Sequence, residues 1–372
     1  MTTPTGLPAA DVPVAEPRSA DPAAIEWVET RLSLREVMNA LLHVRIPIEA
    51  KTYYLGGITL FLFGIQVVTG TLLALYYQPT PEKAYESVLA ITTDVSFGWL
   101  IRSMHHWAAN LMLISLVLHL LRIFFQAAYK FPRELTWLVG GLLLAITIGF
   151  GFTGYLLPWD QRAYWATVVG TEIAGSVPLI GPSLLLLLRG GTDVTAATLS
   201  RFFGIHVLVL PLALGGLVLV HLLFVHQTGL ASPKRPDPRP APGRVRPAPV
   251  GPTKPFWPDY VLDEVIAWYT ILAVLVVLAS MFPSGLEAQA DPLTTPAHIK
   301  PEWYFLAVYE LLKLVPRTVG VLGPIVLVGI VVILPFLDRN PEVRPRRRLI
   351  AIGLATILLV SFGALTVKGF LP

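Results

Sequence analysis

Residues 99–122 read WLIRSMHHWAANLMLISLVLHLLR, an apolar run in which His105 and His119 stand 14 positions apart. A second run begins TLSRFFGIHVLVLPL at residue 198 and continues to HLLFVHQTGLASP at 221–233, placing His206 and His221 15 positions apart. At about 100° and 1.5 Å per residue, 14 or 15 steps return a side chain to within roughly 60° of the same helix face, about 21–22 Å further along. Two such helices set face to face put imidazole opposite imidazole at two levels through a bilayer. Neutral imidazole is a common ligand of haem iron. Filling both axial positions leaves no place for oxygen, so the pattern reads as a transmembrane wire of two bis-histidine haem sites that pass electrons.

The composition agrees with a membrane setting. Of 372 residues, 54% are hydrophobic and 14% charged, and the mean hydropathy is +0.64. Apolar stretches long enough to cross about 30 Å of hydrocarbon recur seven times, near 54–77, 104–126, 135–158, 203–225, 261–283, 319–337 and 349–367. The expectation is an all-α integral membrane protein. The five leucines at 184–188 are too short a run to span and read as interfacial. The first 24 residues are rich in Pro, Ala and Thr and lack the apolar core of a cleavable signal peptide. With no cysteine there is no disulfide, cysteine-ligated iron–sulfur cluster or thioether-linked haem, so any such group belongs to a partner.

Net charge is +4, and its placement says more than its size. With a cytoplasmic N-terminus, the cytoplasmic loops hold Arg122, Lys130 and Arg133 after the second span, and Lys234, Arg235, Arg239, Arg244, Arg246 and Lys254 after the fourth. Arg339, Arg344, Arg346, Arg347 and Arg348 follow the sixth. The positive-inside rule then gives an N-in, C-out topology. Basic runs also serve nucleic-acid binding, but beside membrane spans that reading is disfavoured and no nucleic-acid partner is expected.

The chain divides into a disordered extension over 1–24, an amphipathic surface helix over 25–50, a four-helix haem-binding part over 51–230, a Pro-rich basic linker over 231–258, and a three-helix part over 259–372. Gly56 and Gly70 in the first span and Gly140 and Gly154 in the third repeat the 14-residue period of His105 and His119. A porphyrin edge against a helix needs a missing side chain; the alternative is ordinary close packing of membrane helices. Arg102 and Arg122 stand three residues from His105 and His119, near opposite faces. They suit haem propionates, since guanidinium pairs carboxylate bidentately; the alternative is snorkelling. His106 points about 100° away from His105 and has no partner at the period, so it is not assigned as a ligand.

Pro301-Glu302-Trp303-Tyr304 falls between the fifth and sixth spans. A carboxylate among aromatics at membrane depth is costly and usually functional. Quinol oxidation releases two protons, and Glu302 is a candidate acceptor for one; a structural acceptor is the alternative. The segment Gly154 to Gln161 ends the third span on the same side and is placed as the facing wall. On the other side, His226 lies five residues beyond His221, about 140° around the helix. It is a candidate, with Glu264, for serving a quinone; an interfacial histidine is the alternative.

These motifs closely resemble cytochrome b of the quinol–cytochrome c reductases over roughly residues 45–368. The likeness rests on five pieces in family order: WLIRSMHHWAANLMLISLVLHLLR, GYLLPWDQRAYW, TLSRFFGIHVLVLPL, HLLFVHQTGLASP and ADPLTTPAHIKPEWYF. The resemblance implies two non-covalent b-type haems, a low-potential one held by His105 and His206 near the outer face and a high-potential one held by His119 and His221 near the inner face. It implies a quinol-oxidation pocket served by Glu302 and Tyr304, and a quinone-reduction pocket served by His226. It further implies a Rieske-type iron–sulfur partner, a c-type cytochrome, and a homodimeric complex in the lipid bilayer of the cytoplasmic membrane.

The finer pattern is mixed. The 15-residue histidine spacing, WDQ and FGWLIRS match the chloroplast-type cytochrome b, and the seven-span chain resembles that protein fused to its three-helix companion subunit. His226 and AHIKPEWYF match the mitochondrial and proteobacterial type. Where chloroplast-type chains carry the cysteine that attaches a third haem, this chain has Tyr54, so no covalent third haem is expected. Two rivals fit less well. A dihaem anchor for a soluble dehydrogenase has no use for the PEWY segment or three further helices. A transporter leaves the paired histidines unexplained.

Overall fold

The computed structural model describes residues 22–32, 42, 44–47, 54–231, 252–297 and 299–371. Six helices among these are long and apolar enough to cross a membrane. After the short helix α1 (Pro22–Leu32) come α2 (Tyr54–Ala74), α3 (Ala84–Thr93), α4 (Gly98–Phe125), α5 (Glu134–Tyr155), α6 (Gln161–Gly175) and α7 (Gly181–Arg189). Then follow α8 (Ala196–Thr228), α9 (Val261–Met281), α10 (Trp303–Leu314), α11 (Arg317–Val332), α12 (Leu334–Leu337) and α13 (Leu349–Phe370). The spans are α2, α4, α5, α8, α9 and α13. The seventh apolar stretch is split into α11 and α12: Pro335 lacks the N–H that would continue the helix, which restarts beyond Ile333. Large apolar side chains point outward along the spans, with Leu219, Ile357 and Val360 71%, 63% and 65% exposed. That is the surface of a chain solvated by lipid, where every backbone polar group must be paired within its own helix.

Two boundaries differ from expectation. The helix expected from Ile25 begins at Pro22, inside the stretch expected to be irregular, and Arg45–Pro47, assigned to that helix, is a strand. Pro47 disfavours helical geometry at Ile46. Strand β1 (Arg45–Pro47) pairs antiparallel with β2 (Thr253–Pro255), so the last residues of the stretch read as linker are clasped to the start of the bundle. The expected disorder of residues 1–21, most of the Pro-rich linker (232–251) and His298 lie outside the described residues.

The two halves pack as one body. Leu275 of α9 is fully buried against Leu62 of α2 and Ala108 and Met112 of α4. At one end, the loop after α4 meets the loop between α12 and α13. Tyr129 donates to Asp338, Lys130 pairs with the same carboxylate at 3.1 Å, and Arg348 donates to Tyr129 at 2.8 Å. Arg133 donates to the Gly229 carbonyl after α8 at 2.8 Å, so the loops following the second, fourth and sixth apolar stretches share one end, as alternating spans require. At the opposite end, Lys300 donates to the Leu371 carbonyl at 2.6 Å.

Candidate functional site: facing histidines and an adjoining cavity

His105 and His119 project from α4, and His206 and His221 from α8. The rings of His105 and His206 face each other with centroids 6.3 Å apart, inclined at 70°. Two nitrogen–metal bonds of about 2 Å and two ring radii of about 1 Å fill about that gap, so the pair is spaced for one bis-coordinated iron. His119 and His221 form the other level, within electrostatic reach of one another.

Unequal sequence spacing becomes equal spatial spacing through a local irregularity. Ile205–Val209 is a π turn, in which the Leu210 N–H reaches back to the Ile205 carbonyl. The extra residue that such a turn holds makes the 15-residue interval on α8 match the 14-residue interval on α4. Pro211, two residues past the turn, lacks the N–H of a regular α bond to Val207.

The four periodic glycines lie at the same two levels. A Cβ on Gly70 would stand 3.1 Å from His105 Cε1, and one on Gly154 2.5 Å from His206 Cε1. At the other level a Cβ on Gly56 would stand 3.2 Å from His119 Cε1, and one on Gly140 3.4 Å from His221 Cε1. The missing side chains on α2 and α5 leave room for the imidazoles themselves, a nearer neighbour than the porphyrin edge.

The residues before two of these glycines were not singled out from the sequence. Thr69 Oγ1 lies 2.9 Å from His105 Nδ1 and Thr153 Oγ1 3.1 Å from His206 Nδ1. Each hydroxyl donates to the carbonyl four residues back, Ile65 at 2.7 Å and Gly149 at 2.8 Å. The hydroxyl oxygens therefore accept from Nδ1–H, and Nε2 keeps the lone pair a metal needs. The signal available was the repeated Thr-Gly pair, 84 residues apart on the two flanking helices.

The His105–His206 level opens into a cavity of about 790 Å³ whose lining also includes Gly70, Gly154, Arg102, Tyr155, Glu302 and Tyr304. Glu302 is the N-cap residue of α10. Burial pushes its carboxyl above the usual range, and Arg162 partly opposes the shift. Burial likewise raises the Tyr304 phenol, with the Glu302 charge adding to it. Tyr304 packs against the missing side chain of Gly151. The facing wall is the end of α5 and the start of α6. There Asp160 caps α6 by accepting from the Ala163 N–H at 2.9 Å, Arg162 pairs with Glu287, and Gln161 takes hydrogen bonds with the α9–α10 loop, including one from the Asp291 N–H at 2.8 Å. Arg162 was another residue the sequence reading missed.

The structure does not gather every candidate. Arg102 lines the cavity, but its guanidinium donates to the Ser284 and Gly285 carbonyls at 2.7 and 2.6 Å. Arg122 donates to Gln126 at 3.1 Å, one helical turn on. His226 is exposed at the end of α8. Glu264 is buried, accepting from Tyr260 at 2.7 Å rather than from His226, and it fills the space left by Gly57. Tyr54 stacks on Tyr260 at 5.5 Å and donates to Asp263 at 2.7 Å.

Facing imidazoles at one level and a second histidine pair within electrostatic reach at another, in an apolar helical bundle, fit a membrane electron-transfer protein of the haem-binding kind. Residues 43–229 match the family profile "Cytochrome b/b6/petB" and residues 289–372 "Cytochrome b(C-terminal)/b6/petD". The chain is 40% identical over 326 residues to the "Cytochrome bc complex cytochrome b subunit" of Chlorobaculum thiosulfatiphilum, covering 86% of this chain and 74% of that one. It is 46% identical over 212 residues to "Cytochrome b6" of Heliobacterium mobile, which covers 56% of this chain and 100% of the relative. Among solved structures, a chain of a "Hyperthermophilic respiratory Complex III" superposes with a TM-score of 0.80 at 34% identity, covering 94% of this chain and 91% of the other. The chain belongs to the cytochrome b family: it is a multi-pass membrane subunit of an electron-transporting, bc-type oxidoreductase complex.

Proposed function

We propose that this chain oxidises quinol in the outer cavity and returns electrons to quinone at the inner end, as the catalytic subunit of a quinol:cytochrome c-type reductase. The observation that carries the reading is the shared cavity: Glu302 and Tyr304 line the same space as the His105 and His206 rings. The four histidines suit two non-covalent b-type haems, His105 with His206 and His119 with His221. Bound there, the haems supply a one-electron path across the membrane.

The residues around that path have distinct tasks. Glu302, held at the cavity with its proton affinity raised, takes a proton from the quinol, and Tyr304 beside it shapes the pocket. Arg102 holds the 284–285 segment of the cavity lining in place. Arg102 and Arg122, three residues from His105 and His119, remain the basic side chains assigned to haem propionates. Exposed at the inner end, His226 serves the quinone taken up there. Tyr54 offers no thiol, which supports two haems without a covalent third. Quinol gives two electrons, so the first passes to a partner outside this chain. A Rieske-type iron–sulfur protein and then a c-type cytochrome fit that role, in a homodimeric complex of the cytoplasmic membrane with the N-terminus inside.

Haem quantitation on the purified protein, before and after acid–acetone extraction, tests this reading. Two extractable haems per chain are expected, with none retained. One haem or none removes the paired-histidine assignment; a non-extractable haem overturns the argument from Tyr54.

A further inference from the structure

The two histidine levels differ in what holds their outer ring nitrogens. His105 and His206 each have a buried threonine hydroxyl on Nδ1, whose own proton is committed to a backbone carbonyl. His119 and His221 have none: neither Nδ1 meets a side-chain hydroxyl. A backbone carbonyl does approach the ring on α8 at each level, Phe150 for His206 and Thr136 for His221, so the carbonyls do not distinguish the levels. What distinguishes them is the residue preceding each glycine: Thr69 and Thr153 at the outer level, Leu55 and Val139 at the inner.

We infer that Thr69 and Thr153 are positioning residues that make the outer haem site harder to reduce than the inner one, through the hydroxyl each places on a ligand imidazole. The inference rests on the four-histidine haem reading. An accepted Nδ1–H bond makes the imidazole a stronger donor through Nε2, and stronger donation favours the oxidised iron. An imidazole with no hydroxyl on Nδ1 donates less and favours the reduced iron. Electrons entering beside Glu302 therefore run energetically downhill to the inner level, with direction set by two hydroxyls.

Potentiometric titration of the visible haem bands in the purified complex tests this, using Thr69→Val, Thr153→Val and the double variant, with Thr→Ser at both sites as the conservative control. Losing a hydrogen-bond partner of a metal-ligating histidine typically costs about tenfold or more in metal affinity or activity, and an effect of that size is expected here. In the double variant, the reduced-to-oxidised ratio of the outer haem at fixed ambient potential should rise about tenfold, or about 59 mV for one electron. The inner haem should not move, and the Ser variants should restore the original value. The converse variant, Val139→Thr, adds a near-isosteric hydroxyl beside His221 and should lower the inner ratio by a similar factor. Unmoved potentials with both haems present, in the Val variants or in Val139→Thr, overturn the inference. Should the Val variants fail to retain haem, Val139→Thr decides alone. Absence of haem from the unsubstituted protein would instead overturn the four-histidine reading.

Discussion

Gly154 and His206 are in contact across the α5–α8 interface: a Cβ on Gly154 would stand 2.5 Å from His206 Cε1, closer than real Cβ atoms come. Neither side can give way easily, because the ring is already tied to Thr153 at 3.1 Å on the same helix as the glycine.

Gly154→Ala should therefore displace the His206 ring and lose the outer haem, at an overpacking cost on the order of 1–3 kcal/mol. Gly149→Ala, on the same helix, places its Cβ at an ordinary 3.9 Å from Leu210 Cδ1 and should keep both haems. Gly140→Ala, at 3.4 Å from His221, should fall between. Haem content per chain, read from reduced-minus-oxidised spectra, orders the three variants; equal haem in all would refute the steric argument.

Quinol oxidation should show an acid limb set by Glu302. The carboxyl accepts a proton only when ionised, and burial holds its titration above the usual carboxylate range, so turnover should rise with pH through that raised value. Arg162 opposes the shift, so Arg162→Gln should move the limb to higher pH. Glu302→Gln should remove the limb and slow turnover by at least tenfold, within the range general acid–base groups contribute. Initial rates against pH for the three proteins decide it: an unchanged limb in Glu302→Gln takes this carboxylate out of the proton path.

Asp338→Asn should destabilise the fold at neutral pH. Burial alone would raise the Asp338 carboxyl, but hydrogen bonds from Tyr129 and Lys130 outweigh it and hold the group below the usual range. Its stabilising effect is thus present above the ordinary carboxylate pKa and is lost as pH falls through the lowered one. Removing the charge leaves Lys130 and the buried Arg348 without their shared carboxylate, 3.1 and 4.0 Å away respectively. The expected cost is roughly 2–4 kcal/mol, read as a lower unfolding temperature in detergent at pH 7, with the difference from the parent shrinking toward pH 3. A constant difference across that range would count against the linkage.

The histidine levels and the spans were legible because they follow from period and hydropathy, which the helix repeat and the bilayer enforce on any sequence. That Glu302 stands apart was legible for a similar reason: a carboxylate between Pro301 and two aromatics is conspicuous in apolar surroundings, and it lines the cavity. What escaped were relationships between distant segments. Nothing local marks Arg162 as the partner of Glu287, or Asp263 as the acceptor for Tyr54, since these pairs are joined only when helices far apart in sequence pack. The strand at Arg45–Pro47 was missed because its pairing partner lies 208 residues away. Arg133 and Arg348, read from the sequence as loop charges, are buried ties between loops, 7% and 2% exposed.

The π turn gives a prediction that the spacing alone could not. His206 and His221 are 15 apart, yet they face the 14-residue pair on α4 because Ile205–Val209 holds one residue more than an α turn. Deleting Leu208 should let that turn close as regular helix, reduce the interval to 14 and leave both histidine levels aligned. Deleting Leu113, between His105 and His119 on α4, removes a residue from a continuous α-helix with none to spare. It should turn one histidine by about 100° relative to the other and break a level. Haem stoichiometry of the two deletion variants separates the cases: two haems retained without Leu208 and fewer without Leu113 support the turn as the element that keeps the levels in register. Equal loss in both would mean that the local geometry around His206, and not its interval from His221, is what the site requires.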